Sequence, residues 1–312
     1  MRRFLILLSA ITGTAVSSVQ ASSIEDWMGK VEKATQHSYQ GVFVHERSGN
    51  FSSYQVWHLS KQAAVTERLL QLDGPPAESL RVNGKLECAS AGFPSIPPSI
   101  FTQFDFDRLQ QAYELRVLGE SRVAGRRAQV IGILPRDRHR YGLEVHVDFA
   151  TGVPLKQLLV SDDGSLLERF QYATFHTETP SASELQVQAR CVESRDVSAG
   201  SLAEPAWRPD WVPTAFHATP LRSAASDPAS SALISNYSDG LARFSIFVEA
   251  ISDPSVGDAR SRLGPTSVVS KRVAGDSVDY IVTVVGEIPI GTAERIALSV
   301  VPNAPTAAPE AQ

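Results

Sequence analysis

From residue 42 to residue 175 the apolar side chains recur with a period of two, in one short run after another. That alternation confines most of this stretch to strands, whose side chains point to opposite faces in turn. The turns between runs are tight, so neighbouring strands must be antiparallel. Val42 and Val44 alternate with Phe43 and His45, and Ser48-Gly49-Asn50 makes a turn. Residues 53–59 return with Tyr54, Val56 and His58 on one face and Gln55, Trp57 and Leu59 on the other. Residues 63–72 give a third strand, and Asn83-Gly84 is a hairpin signal between 79–82 and 85–88. Further strands are expected at 113–118, 128–134, 141–149, 154–160 and 166–175, with turns at Ala124-Gly125, Ala150-Thr151-Gly152 and Asp162-Asp163-Gly164. A helix is expected over 23–37, capped by Ser23, with Ile24, Trp27, Met28, Val31 and Ala34 on one stripe. About ten antiparallel strands with two helices imply a strongly curved sheet or an open barrel.

Residues 93–111 break the pattern. Pro94, Pro97 and Pro98 precede a short helix, and Phe93, Ile100, Phe101, Phe104 and Phe106 supply apolar groups. Such a segment lids a lipid pocket or plugs the barrel mouth, and the sequence leaves both open. Residues 179–206 are small and polar and read as a linker. A second unit spans 207–301, with strands at 216–219, 232–237, 242–250, 267–273 and 280–285 and a helix at 290–300: a small α+β domain. The first domain covers 22–178, and residues 302–312 form a Pro/Ala-rich tail expected to be disordered.

The first 21 residues read as a secretory signal peptide. Arg2 and Arg3 precede an apolar core, and Val19-Gln20-Ala21 is a small-residue cleavage site. The apolar run is too short to span a bilayer. The whole chain carries 29 basic and 34 acidic residues, a net charge of −5, which disfavours a nucleic-acid partner. Export also changes how Cys88 and Cys191 read. An oxidising compartment favours a bridge between them, with two buried free thiols as the alternative.

No residue pattern points to catalysis, a metal or a cofactor. His45-Glu46 begins like a zinc-protease motif, but Gly49 stands where the second histidine belongs. No GxSxG, Ser-x-x-Lys, GxxxxGK or GxGxxG occurs. His45 and His58 are expected to face each other across a hairpin, without a third ligand. One charge cluster stands apart: Arg116, Arg122, Arg126, Arg127, Arg136, Arg138 and Arg140 are opposed only by Glu120 and Asp137. The guanidinium fork suits carboxylate and phosphate. Arg122, Arg126, Arg127, Arg136, Arg138 and Arg140 are therefore candidates for an anionic lipid headgroup, in one patch or two. A solvated, salt-bridged rim is the competing reading.

Several stretches resemble the MucB/RseB proteins, and within them the pseudomonad MucB branch. They include Gln40-Gly41-Val42-Phe43-Val44-His45-Glu46-Arg47, Glu67-Arg68-Leu69-Leu70-Gln71-Leu72-Asp73-Gly74 and Pro135-Arg136-Asp137-Arg138-His139-Arg140-Tyr141-Gly142. In the second unit, Asp239-Gly240-Leu241-Ala242-Arg243-Phe244-Ser245-Ile246-Phe247-Val248-Glu249 and Val284-Val285-Gly286-Glu287-Ile288-Pro289 continue the likeness in the same order. The resemblance implies a periplasmic regulator and no enzyme. Such proteins bind the periplasmic domain of a MucA/RseA-like membrane anti-sigma factor and shield it from a site-1 protease. They release it when lipopolysaccharide or another lipid signals envelope stress. In the MucB branch this controls alginate synthesis. The resemblance also implies a large domain of the lipoprotein-carrier type, an unclosed antiparallel barrel.

A periplasmic lipid or lipoprotein carrier is the alternative, and the second domain favours the regulator. A homodimer is left open. For the anti-sigma segment, residues 242–249 suit strand addition, with Arg243, Phe244 and Glu249 as candidate contacts; packing of the apolar residues inside the small domain is the competing reading, and Arg243 is the better candidate for an exposed role.

Overall fold

The computed structural model describes residues 23–62, 64–91, 93, 106–187, 191–193, 207–219, 233–275 and 278–303. The signal peptide, Ile100, Phe101 and Phe104 lie outside the described residues, as does most of the proline-broken segment. The chain enters the fold through α1 (Ile24–Lys33). Ser23 Oγ accepts the Asp26 N–H while the Asp26 carboxylate accepts the Ser23 N–H, a capping box that contributes about 1 kcal/mol. The expected longer helix stops at Lys33, and a 3₁₀ turn over Ala34–Gln36 redirects the chain into the sheet.

The strands of the first domain are β1 (Tyr39–Arg47), β2 (Asn50–Lys61), β3 (Ala64–Gln71), β4 (Ala77–Val82) and β5 (Lys85–Ala89). After α2 (Phe106–Ala112) come β6 (Tyr113–Val123), β7 (Arg126–Pro135), β8 (Gly142–Asp148), β9 (Pro154–Val160), β10 (Leu166–His176) and β11 (Val192–Glu193). They form one eleven-stranded sheet in the order β11-β5-β4-β3-β2-β1-β10-β9-β8-β7-β6. Two meanders thus spread from the central β1/β10 pair, and β11 and β6 are left as edges, so the sheet does not close. Gly41 permits the central pairing: a Cβ there would strike the backbone carbonyl of Thr174.

Two apolar clusters stabilise this sheet. Trp27, Met28 and Val31 of α1 and Leu109 of α2 pack with Ile131, Ile133, Leu143, Val145 and Val147. Tyr39, Phe43, Tyr54, Tyr172 and Phe175 form an aromatic cluster with Leu155 and Leu69. Full burial of each such side chain contributes roughly 1.5–3 kcal/mol before entropy is counted. His45 and His58 do not meet. His45 lies opposite Ser52 and binds Glu168 at 2.9 Å, whereas His58 lies opposite Tyr39 and stacks on its ring.

Cys88 and Cys191 form a disulfide with Cα atoms 5.4 Å apart. It fastens β11 to β5, so the large sheet takes in residues that the sequence assigned to the linker. Arg68 tightens the same segment: it pairs with Glu78 and donates to the Glu184 carbonyl at 2.7 Å.

The second domain comprises β12 (Trp207–Pro209), β13 (His217–Thr219), β14 (Leu233–Ser238), β15 (Arg243–Ile251), β16 (Ala259–Leu263), β17 (Thr266–Val273), β18 (Asp279–Gly286), α3 (Ile290–Leu298) and β19 (Val300–Pro302). Six strands form a sheet in the order β13-β14-β15-β18-β17-β16, and β12 pairs with β19. Ala293, Ile296 and Ala297 of α3 pack into its core. Strand β16 carries no apolar alternation, since all five of its residues are exposed, and sequence periodicity missed it. Pro302, placed in the tail by sequence, pairs with Trp207.

Candidate functional site at the domain seam

A buried polar constellation joins the two domains. The turn between β14 and β15 is held by Asp239, whose Oδ1 accepts the N–H groups of Leu241 at 2.9 Å and Ala242 at 2.8 Å. This is an ordinary use of aspartate at a turn. Its other oxygen serves the first domain: Oδ2 accepts the Tyr113 hydroxyl at 3.0 Å and lies 3.3 Å from the Arg140 Nε. Arg140 reaches across the seam, donates to the Thr214 carbonyl at 2.7 Å and lies over the rings of Tyr113 and Phe216. Arg140 is 2 % exposed and Asp239 is fully buried. Burial raises the Asp239 carboxyl above its usual range despite Arg140 and the turn N–H groups. Burial, and then the charge of Asp239, push the Tyr113 hydroxyl well up, so it stays a donor.

Further contacts flank this pair. Tyr141 donates to the Ile288 carbonyl at 3.1 Å, and Arg108 donates to the Ser238 carbonyl at 3.0 Å. His139 lies 3.1 Å from the Thr292 hydroxyl and edge-on to Trp211. Burial lowers its pKa. At the far end Arg47 bonds Thr266 and reaches Glu287 at 3.4 Å. Gly264, at φ +58°, lies against Ser48 in a turn that would seat a side chain poorly.

Between these contacts a cleft opens. Tyr141, Leu143, Leu159 and Phe170 form its wall on the large sheet, and Leu241 to Arg243 form the opposite wall. Its free volume is about 60 Å³, room for a few waters or one aliphatic side chain. Glu168 and Glu287 border it, and both are engaged by Arg47, with Glu168 also bound to His45. Arg243 borders it too and, among the described residues, has no carboxylate partner.

The arginine cluster divides into two groups at opposite ends of β7. At one end Arg126 forms a two-point pair with Asp148, Arg127 forms one with Glu120, and Arg122 bonds the Gly125 carbonyl. At the other end Arg136 and Arg138 are exposed, and Arg136 bonds the Gln110 carbonyl. Arg140 leaves the anion-binding set: it is buried in the seam, where no headgroup reaches it. Phe93 packs on Tyr54 and Phe106 on the α1/α2 core.

Strand β15 corrects another expectation. It is paired on both sides, by β14 and β18, so its backbone cannot accept an added strand. Phe244 is 1 % exposed and stacks on Tyr237 inside the small domain, which removes it as a contact. Arg243 and Glu249 stay exposed, Arg243 at the cleft. Sequence reasoning missed Tyr113, Asp239 and Glu168 as a group. The one local signal was Asp239-Gly240, which marks a turn and says nothing of a partner from the other domain.

Residues 23–193 match the MucB/RseB N-terminal domain and residues 201–301 the MucB/RseB C-terminal domain. The sigma factor AlgU regulatory protein MucB of Pseudomonas aeruginosa is 45 % identical over 97 % of this chain and 99 % of its own. The sigma-E factor regulatory protein RseB of Escherichia coli K12 is 28 % identical over 95 % and 97 %. Among solved structures, MucB in the P. aeruginosa MucA/MucB complex superimposes with a TM-score of 0.79 at 45 % identity, covering 90 % of this chain and 99 % of that one. MucB alone gives 0.64 at 43 % identity, covering 90 % and 98 %. The two-domain arrangement, the large unclosed sheet and the agreement along both halves place this chain in the MucB/RseB family of sigma-factor regulatory proteins.

Proposed function

We propose that the exported protein is a periplasmic negative regulator of an envelope-stress sigma factor. It binds the periplasmic domain of a MucA/RseA-like membrane anti-sigma factor and shields it from site-1 proteolysis. Lipopolysaccharide or another lipid releases it, and in this branch the output is alginate synthesis. The observation that carries the reading is the seam. Two domains, whose apolar cores touch only through Ala215 and Leu241 among the described residues, are joined by a buried polar latch beside an open cleft, so their relative angle can be coupled to what lies between them. The likeness to MucB is higher for the form in complex with MucA than for MucB alone, at nearly the same identity. A protected segment ordered over many residues loses about 1–2 kcal/mol of backbone entropy per residue, which favours two walls over one shallow edge.

The exposed Arg136 and Arg138 are the better lipid candidates at one end of β7, with Arg122 and Arg127 at the other. The test uses residues 22–312 and the periplasmic segment of the anti-sigma factor. Binding is measured by calorimetry, and protection by the rate of site-1 cleavage, with and without lipopolysaccharide. Tight binding, slowed cleavage and reversal by lipid are expected. Cleavage at the same rate with and without the protein overturns the proposal.

A further inference from the structure

The cleft beside the latch differs from a lipid chamber in size and in charge. Ligand pockets that enclose a drug-sized or acyl group run to roughly 300–1,000 Å³. The free volume here is about 60 Å³, enough for one branched aliphatic side chain and far too small for an acyl chain. Its walls are apolar at depth, where Leu143, Leu159, Phe170 and Leu241 converge. Its border is charged. Glu168 is held by His45 and Arg47, and Glu287 by Arg47, so neither acid is free to receive a basic group. Arg243 is exposed at the same border, and among the described residues no carboxylate pairs with it. Arg243 is therefore the border charge open to an incoming carboxylate.

Both domains contribute to this arrangement, and the Asp239 turn positions its second wall. Asp239 holds the N–H groups of Leu241 and Ala242, and the carbonyl of Arg243 accepts the Glu287 N–H. Leu241 and Arg243 are thus presented on a turn fixed at both ends. Such preorganisation favours an anchored contact, because little ordering remains to be done on binding.

We infer that this cleft is a peptide subsite that takes one aliphatic side chain of an extended segment, with a neighbouring carboxylate of the same segment paired to Arg243. The inference rests on the regulator reading and specifies where its partner is gripped. An aliphatic anchor enclosed by apolar walls with a charge-assisted bond at the border is the usual form of an energetically dominant contact. A lipid headgroup or acyl chain is not the occupant.

The experiment measures binding of the periplasmic segment of P. aeruginosa MucA to the mature chain and to two variants, L159W and R243E. L159W fills the cleft. R243E reverses the charge at an exposed position and leaves every core contact in place. Urea midpoints verify that each variant folds. Each substitution is expected to weaken binding at least tenfold, and one acidic-to-lysine substitution in the segment should restore binding to R243E but not to L159W. Should L159W fail to fold, R243E and its charge-swapped segment carry the test alone. Binding by the wild type together with unchanged affinity in R243E overturns the subsite and leaves the regulator reading standing. Absence of binding by the wild type itself overturns that reading. Displacement of a fluorescent fatty acid from wild type but not from L159W makes the cleft a lipid site and also overturns the inference.

Discussion

Replacing Asp239 with leucine should loosen the two domains from each other. Its carboxylate has three partners besides Arg140: the Leu241 and Ala242 N–H groups and the Tyr113 hydroxyl. Removing it leaves Arg140 buried with the Thr214 carbonyl as its close acceptor. Breaking a buried ion pair by deleting one partner costs roughly 3–5 kcal/mol when the remaining charge is uncompensated; the Asp137 carboxylate, 3.6 Å from Arg140, keeps part of the compensation and puts the loss at the lower end of that range. Arg140→Met should cost less, about 2–3 kcal/mol, since Asp239 keeps its turn and Tyr113 bonds. The double variant should recover much of the loss, because two apolar groups in place of a buried pair are often neutral. The two effects should therefore be non-additive by more than about 1 kcal/mol. The assay is urea unfolding followed by tryptophan fluorescence, with Trp27 and Trp57 reporting the first domain and Trp207 and Trp211 the second. Wild type should unfold in one transition and the single variants in two. Single variants within about 0.5 kcal/mol of wild type, or strict additivity in the double, would refute the latch.

Reduction of the Cys88–Cys191 bridge, or Cys88→Ser with Cys191→Ser, should destabilise the first domain by about 2–4 kcal/mol, read as a lower urea midpoint with no change in secondary structure by circular dichroism. Acid should act in two windows. Burial lowers the His146 pKa against the opposing pull of Glu144, so its contribution is full above the unfolded value near 6.5 and is lost as pH falls through the folded value. His146→Gln should flatten the stability–pH curve there. Burial alone would raise the Asp148 pKa, but Arg126 and Thr151 outweigh it and hold it low, so its contribution is full above about pH 4 and is lost below. Asp148→Asn should remove that second slope in acid titrations. Arg136→Ser with Arg138→Ser should weaken and desalt-sensitise lipid A binding without moving the urea midpoint, since both side chains are exposed; unchanged affinity and salt dependence would assign them to a solvated rim.

The period-two alternation was sufficient to place nearly every long strand, because which face a side chain takes is a local property of the pleat. Turn chemistry marked the ends in the same way: Asn83-Gly84 and Ala124-Gly125 lie between paired strands because those backbones adopt positive φ. The family motifs, spread through both domains in order, carried the functional class. Sequence alone did not separate Arg136 and Arg138 from Arg140. All three are arginines in one short run, yet only Arg140 meets a carboxylate from a turn about 100 residues away in the chain. It likewise favoured β15 as a docking edge, since alternation records burial and not how many neighbours a strand has. The pairing of β1 with β10, the latch and the cleft arise from contacts between distant segments. Their energies depend on the whole sheet order and on how one domain seats against the other, so only the tertiary structure decided them.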